Sequence, residues 1–181
     1  MTPTETLKHE HQIILMVADA ARRQAQSIQA TGKVNAEKIA KLLEFFENFV
    51  DRCHHTKEEG HLFVKLHDHG LAWDEGPLLV MWAEHDQGRR HVAAIKGALD
   101  AAAAGQPPAL AQVKDNLLAF VELYRQHIDK EDNVLYPMAN RLLTQEDQQA
   151  LAAAFDRVEA EELGEGTHEK YHRLAHELAE E

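Results

Sequence analysis

The sequence predicts an all-α protein: an up-down-up-down bundle of four long helices with an extra C-terminal helical segment packed outside it. Three observations carry this expectation. Apolar residues recur at three-four spacing along most of the chain, and no alternating strand pattern interrupts them. Alanine, leucine and glutamate are abundant, whereas glycine and proline number only 9 and 5 in 181 residues, so helix breakers are confined to a few places. Those breakers fall between the periodic stretches and mark the connections. At this length one compact domain is expected, with residues 1–143 forming the bundle and 144–181 a helical extension of it.

The first helix runs from about Thr4 to Gln29, with Leu7, His11, Ile14, Leu15 and Ala18 on one face, and Gly32 supplies its stop. Asn35 caps a second helix that reaches about Leu66, with the stripe Ile39, Leu43, Phe46, Val50, His54, Glu58 and Leu62. Residues 67–76 form a loop, and Pro77 suits the first turn of the third helix. Its stripe is Leu78, Met81, His85, Gly88, Val92, Ile95 and Leu99, ended by Gly105-Gln-Pro-Pro108. The fourth helix spans about Ala109 to Leu143, aligning Val113, Leu117, Phe120, Tyr124, His127, Glu131 and Leu135, and Pro137 is expected to kink or end it. Thr144 to Asp147 reads as a capping box before a fifth helix. Gly164-Glu-Gly166 then sets off a short terminal helix. Trp73 and Trp82 are expected to cover the loop end and a helix interface.

Charge narrows the function. Nineteen Lys and Arg face 31 Asp and Glu, a formal net charge of −12. An acidic surface repels phosphate, so nucleic acid and anionic membrane are excluded as expected partners. The single cysteine, Cys53, reads as a small buried hydrophobe and leaves no internal disulfide. No apolar run approaches a membrane span, and the N-terminal residues lack a signal-peptide pattern, so a cytoplasmic location is expected.

The 13 histidines are the departure from an ordinary helical core. Each of the four stripes places one where a bundle would put Leu, Ile or Val: His11, His54, His85 and His127. Two are followed one turn later by a carboxylate, in His54-x3-Glu58 and His127-x3-Glu131, and residues four apart share a helix face. A carboxylate inside a bundle is costly unless paired or bound to a cation. The two motifs also repeat each other: His54-His-Thr-Lys57-Glu58-Glu59-Gly-His-Leu62-Phe63 parallels His127-Ile-Asp-Lys130-Glu131-Asp132-Asn-Val-Leu135-Tyr136. The repeat selects His54 and Glu58 over His55 and Glu59, which have the same spacing but lie out of phase with Val50 and Leu62. Imidazole plus carboxylate suits iron, manganese or zinc, and two shared carboxylates among four helices suit two ions.

These segments resemble the hemerythrin-like, or HHE cation-binding, family. The resemblance rests on Leu7-Lys-His-Glu10-His11-Gln-Ile, on His54 to Phe63, on Glu84-His85-Asp-Gln-Gly-Arg89, and on His127 to Pro137. It implies a four-helix bundle with a non-haem di-iron centre. In that centre His11 and His54 serve one iron and His85 and His127 the other. Glu58 and Glu131 bridge, with an oxygen species between the irons. Oxygen carriers of the family use a fifth histidine one turn along the third helix, where this chain has Arg89, and place an Asp five residues after the fourth-helix histidine, where it has Asp132. Four histidines therefore favour reactive chemistry with peroxide or nitric oxide. Reversible oxygen binding or sensing, and metal binding without catalysis, are the alternatives.

Other residues read as neighbours of the centre. Glu10 and Glu59 are solvated flanking charge, with extra ligands or outer partners of the centre as the alternative. His55 is a surface residue or an outer partner. Tyr124, one turn before His127, either fills the core or donates a hydrogen bond towards a bound oxygen species. His168, His172 and His176 form a row on the terminal helix, read as a solvated face.

Overall fold

A computed structural model describes residues 1–164 and 167–180. Helix takes up 89% of them, and no strand occurs among the described residues. We number six helices: α1 (Pro3–Thr31), α2 (36–68), α3 (Gly76–Ala103), α4 (107–142), α5 (145–163) and α6 (Thr167–Glu180). The first four form the bundle, joined by connections short enough to make sequential helices antiparallel neighbours.

The ends of the helices follow from local chemistry. Thr2 and Glu5 form a capping box for α1, and Gly32, at φ 64°, closes it in the left-handed conformation. The Asn35 side chain accepts from the Lys38 amide at the start of α2. Prolines occupy the first turns of α3 and α4, where a missing N–H costs nothing.

Two of the long helices are irregular. In α2 the stretches Phe46–His55 and Glu58–Leu62 are π-helical, and so is Glu131–Leu135 in α4. The Phe63 amide donates to the Glu58 carbonyl and the Tyr136 amide to the Glu131 carbonyl, both five residues back. The widened turns therefore begin at the two repeated glutamates; single π turns often mark functional positions. Pro137 does not end the helix, which continues to Leu142: the proline sits in the first turn of the α-helical segment that follows the π turn, where its missing N–H is accommodated.

The apolar stripes meet in two cores. One holds Ile14, Val17, Phe46, Phe49, Ile95, Val113 and Phe120. The other holds Leu7, Leu62, Phe63, Leu66, Leu78, Met81, Tyr136 and, from α5, Leu151 and Phe155. The histidine and glutamate layer lies between them. Helix α6 packs outside, where Arg23 of α1 donates to the carbonyls of Leu178 (2.9 Å) and Ala179 (3.0 Å). Trp73 and Trp82 meet edge to face at the α2–α3 loop, ring centroids 6.0 Å apart. No described helix is long and apolar enough to cross a membrane.

Candidate metal centre

The stripes on α1 to α4 bring His11, His54, Glu58, His85, His127 and Glu131 into one buried layer, none more than 2% exposed. Their ligand atoms form two groups, His11–His54–Glu58–Glu131 and Glu58–His85–His127–Glu131, with both carboxylates common to the two. The Nε2 atoms of His11 and His54 lie 3.1 Å apart, and those of His85 and His127 3.0 Å. Glu131 Oε2 is 3.2 Å from His11 Nε2, and its Oε1 is 3.2 Å from His127 Nε2. Glu58 Oε2 lies 3.3 Å from His85 Nε2 and 3.5 Å from that of His54.

The other nitrogen of each imidazole decides what this convergence means. Nδ1 of His11 faces Asp132 (2.8 Å), that of His54 faces Glu10 (2.7 Å), that of His85 faces Glu59 (2.7 Å) and that of His127 faces Glu84 (2.8 Å). An ionised carboxylate only accepts, so each Nδ1 is the donor, and a ring that gives up its Nε2 proton in exchange for a bound cation turns that lone pair inward. The inner layer is then nitrogen and oxygen lone pairs pointed at one another. Glu58 Oε2 and both carboxylate oxygens of Glu131 are buried without a hydrogen-bond partner. Such an arrangement needs positive charge between the facing groups, supplied by cations or by protons. Without an ion, the facing carboxylates draw protons onto these rings instead. Burial pushes the His11 imidazole down, but Asp132 and Glu131 outweigh it and lift it to about 10. His85 and His127 are also raised against their burial by the facing carboxylates, and Glu131 is held far below the carboxylate range despite its own burial, by the surrounding imidazoles. The donor set fits two divalent first-row ions.

The sequence repeat is a structural repeat. Glu10 receives the buried ammonium of Lys57, and Glu84 receives the more exposed ammonium of Lys130. Tyr136 stacks on His11 at 5.4 Å, where its counterpart Phe63 stacks on His85 at 5.9 Å. The two differ by one hydroxyl, which donates to Glu58 Oε1 at 2.5 Å. Anchoring carboxylates of this kind fix ring orientation and raise ligand basicity.

Several neighbours sit differently from expectation. Glu10 is not solvated flanking charge: it is 1% exposed, and the Lys57 and His54 contacts hold it at about 2 despite the opposing effect of burial. His55 is not a surface residue. It is buried, stacks on His85 at 3.8 Å, and contacts Asp51 (3.2 Å) and the Tyr124 hydroxyl (3.3 Å). Both adjacent histidines lie inward at the end of the π-helical stretch Phe46–His55. Tyr124 meets His55 and packs 5.9 Å from the His127 ring. Arg89 joins no ligand group; it bonds Asp51 (2.7 Å) and Glu59 (2.8 Å). Asp132 serves His11 from outside, and Glu131 takes the inner place. Cys53 is buried, and that burial pushes its thiol up to about 12. His176 is exposed, His172 lies against His9 and Phe49, and His168 lies outside the described residues.

Sequence reasoning missed Tyr136, Glu84, Lys57 and Lys130. The repeat carried their signal: Glu10-His11 matches Glu84-His85, and Leu62-Phe63 matches Leu135-Tyr136.

The comparisons with known proteins agree with this geometry. The family model described as the Hemerythrin HHE cation binding domain matches residues 2–139, which takes in all six inner residues. Uncharacterized proteins of Mycobacterium bovis and Mycobacterium tuberculosis are each 24% identical over 165 residues, 91% of this chain. The match spans 64% of those relatives' own length. No solved structure matches. The chain belongs to the hemerythrin HHE cation-binding family.

Proposed function

We propose that the protein holds two iron ions, one between His11 and His54 and one between His85 and His127, with Glu58 and Glu131 common to both, and that it reacts there with peroxide or nitric oxide. The observation that supports this reading is the convergence of four buried Nε2 atoms on the two carboxylates of Glu58 and Glu131, all six residues falling into two groups that share both glutamates. Bound iron would supply a Lewis-acidic, redox-active position for a small ligand.

The chain's own residues prepare that position. Four carboxylates lock the imidazole tautomers, so the rings need no reorientation. Tyr136 holds Glu58 in place through its hydroxyl. Arg89 stands where oxygen carriers have a fifth ligand, and its guanidinium is engaged by Asp51 and Glu59. With one protein ligand fewer, the coordination is open to an exogenous group, which favours reaction over carriage.

Iron content and peroxide consumption test this together. His54→Ala should lose bound iron severely, whereas His55→Ala, whose ring lies outside the two inner groups, should keep most of it. The iron-loaded protein should consume peroxide or nitric oxide. A coloured oxygen adduct that forms and bleaches reversibly, without turnover, would assign the protein to oxygen carriage instead.

A further inference from the structure

The repeat that builds the centre is symmetric, but its surroundings are not. On the α2 side, Lys57 is fully buried between two carboxylates, Glu10 and Glu159, the latter at 2.6 Å. Glu159 belongs to α5, beyond the span that the family shares. The same helix places the Phe155 ring 5.8 Å from the Lys57 ammonium. On the α4 side, the counterpart Lys130 pairs with Glu84 and is 39% exposed. That half of the centre also adjoins a cavity of about 180 Å³, whose wall includes His55, Gly88, Arg89 and Tyr124. His55, which lines this cavity, stacks on the His85 ring at 3.8 Å.

We propose that the C-terminal extension makes the two ion positions unequal: Glu159, acting through Lys57 and Glu10, is a positioning residue that locks His54 and tightens the His11/His54 position, leaving the His85/His127 position the more exchangeable. This rests on the two-ion reading above. The physics is local. A buried ammonium needs full pairing. With two acidic partners, Lys57 shares its charge, and Glu10 keeps one oxygen for His54 Nδ1. With Glu159 neutralised, the whole charge falls on Glu10 and competes with the histidine for that carboxylate. The His54 ring is then less firmly held, and removal of such an outer partner weakens metal binding by about 10–100-fold.

The test uses full-length protein loaded anaerobically with ferrous ions and challenged with bipyridine, whose coloured complex reports release. Wild type should release iron in two phases of one ion each. Glu159→Gln should accelerate the slow phase by about 10-fold and leave the fast phase unmoved. Glu84→Gln should accelerate the fast phase. Glu159 is one-third exposed, so the neutral variant retains its packing, and Glu159→Asp, which keeps the charge, should restore slow release. Release of both ions together from wild type, no change in Glu159→Gln, or equal acceleration by the Asp and Gln variants would each overturn the inference while leaving the two-ion reading intact. Folded wild type that takes up no iron would overturn both.

Discussion

Gly88 shows how one absent methyl group shapes the wall of the centre. A Cβ built there would lie 2.7 Å from both Cε2 and the hydroxyl oxygen of Tyr124. That ring cannot retreat easily, since it is buried, stacked 4.2 Å from Phe120 and in contact with His55. Two effects compete in Gly88→Ala. Alanine gains about 1 kcal/mol of helix propensity, whereas overpacking costs about 1–3 kcal/mol. The clash is with a rigid ring, which puts the cost at the upper end of that range, about 2–3 kcal/mol, so a net loss of about 1–2 kcal/mol is expected in urea denaturation. An unchanged or raised midpoint would contradict the close approach. The sequence placed Gly88 in the α3 stripe, but its reason lies on α4 and could not be read from α3 alone. Tyr136 is the converse case. Its alignment with Phe63 was visible in the repeat, yet nothing local reveals that its hydroxyl reaches Glu58 on another helix.

At the scale of the helix, what was legible is what depends on period and caps. The four stripes, the stop at Gly32, the Asn35 cap and the Thr144 box are local properties of the chain, and they recur in the structure. The π turns are not local in this sense. Their positions follow from no cap or period in the sequence, so the inward place of His55 and the passage of the helix through Pro137 could not be read from it. The fifth helix offers a pH test of a legible feature. The Thr144 hydroxyl and amide donate to Asp147, and with His69 and Lys65 they hold its carboxyl below the usual range. A depressed folded pKa means that the ionised group stabilises. Its contribution is present above the ordinary value of 3.8 and is lost as pH falls through the lower folded value. Asp147→Asn should therefore lower the denaturation midpoint at neutral pH. The gap to wild type should close as the solution is acidified below 3.8. A gap that persists unchanged in acid would show that charge at this cap is irrelevant.

At the scale of the molecule, the centre is where the fold departs from what makes a helical bundle stable on its own. Four histidines and two glutamates occupy the layer between two apolar cores, where aliphatic side chains would bury area without desolvating charge. The outer ring of Glu10, Glu59, Glu84 and Asp132 gathers four of the 31 acidic residues around that layer, in a chain of net charge −12. Folding concentrates this charge, and cations that bind the assembled layer offset it. Bound ions therefore stabilise the folded state by mass action, by about 4 kcal/mol for one ion at a thousandfold excess over its dissociation constant. For a chain of this size each kcal/mol moves the melting temperature by about 2–4 °C. Stripping the protein with a chelator should thus lower its melting temperature by about 8 °C or more, and restoring the metal should recover the loss. Glu58→Gln with Glu131→Gln provides the internal control. Neutral amides remove the facing carboxylates, so this variant should bind the ions poorly, and its melting temperature should barely respond to the chelator. A wild-type transition insensitive to chelation would mean that the buried layer is balanced by protons, and that no ion contributes to the fold.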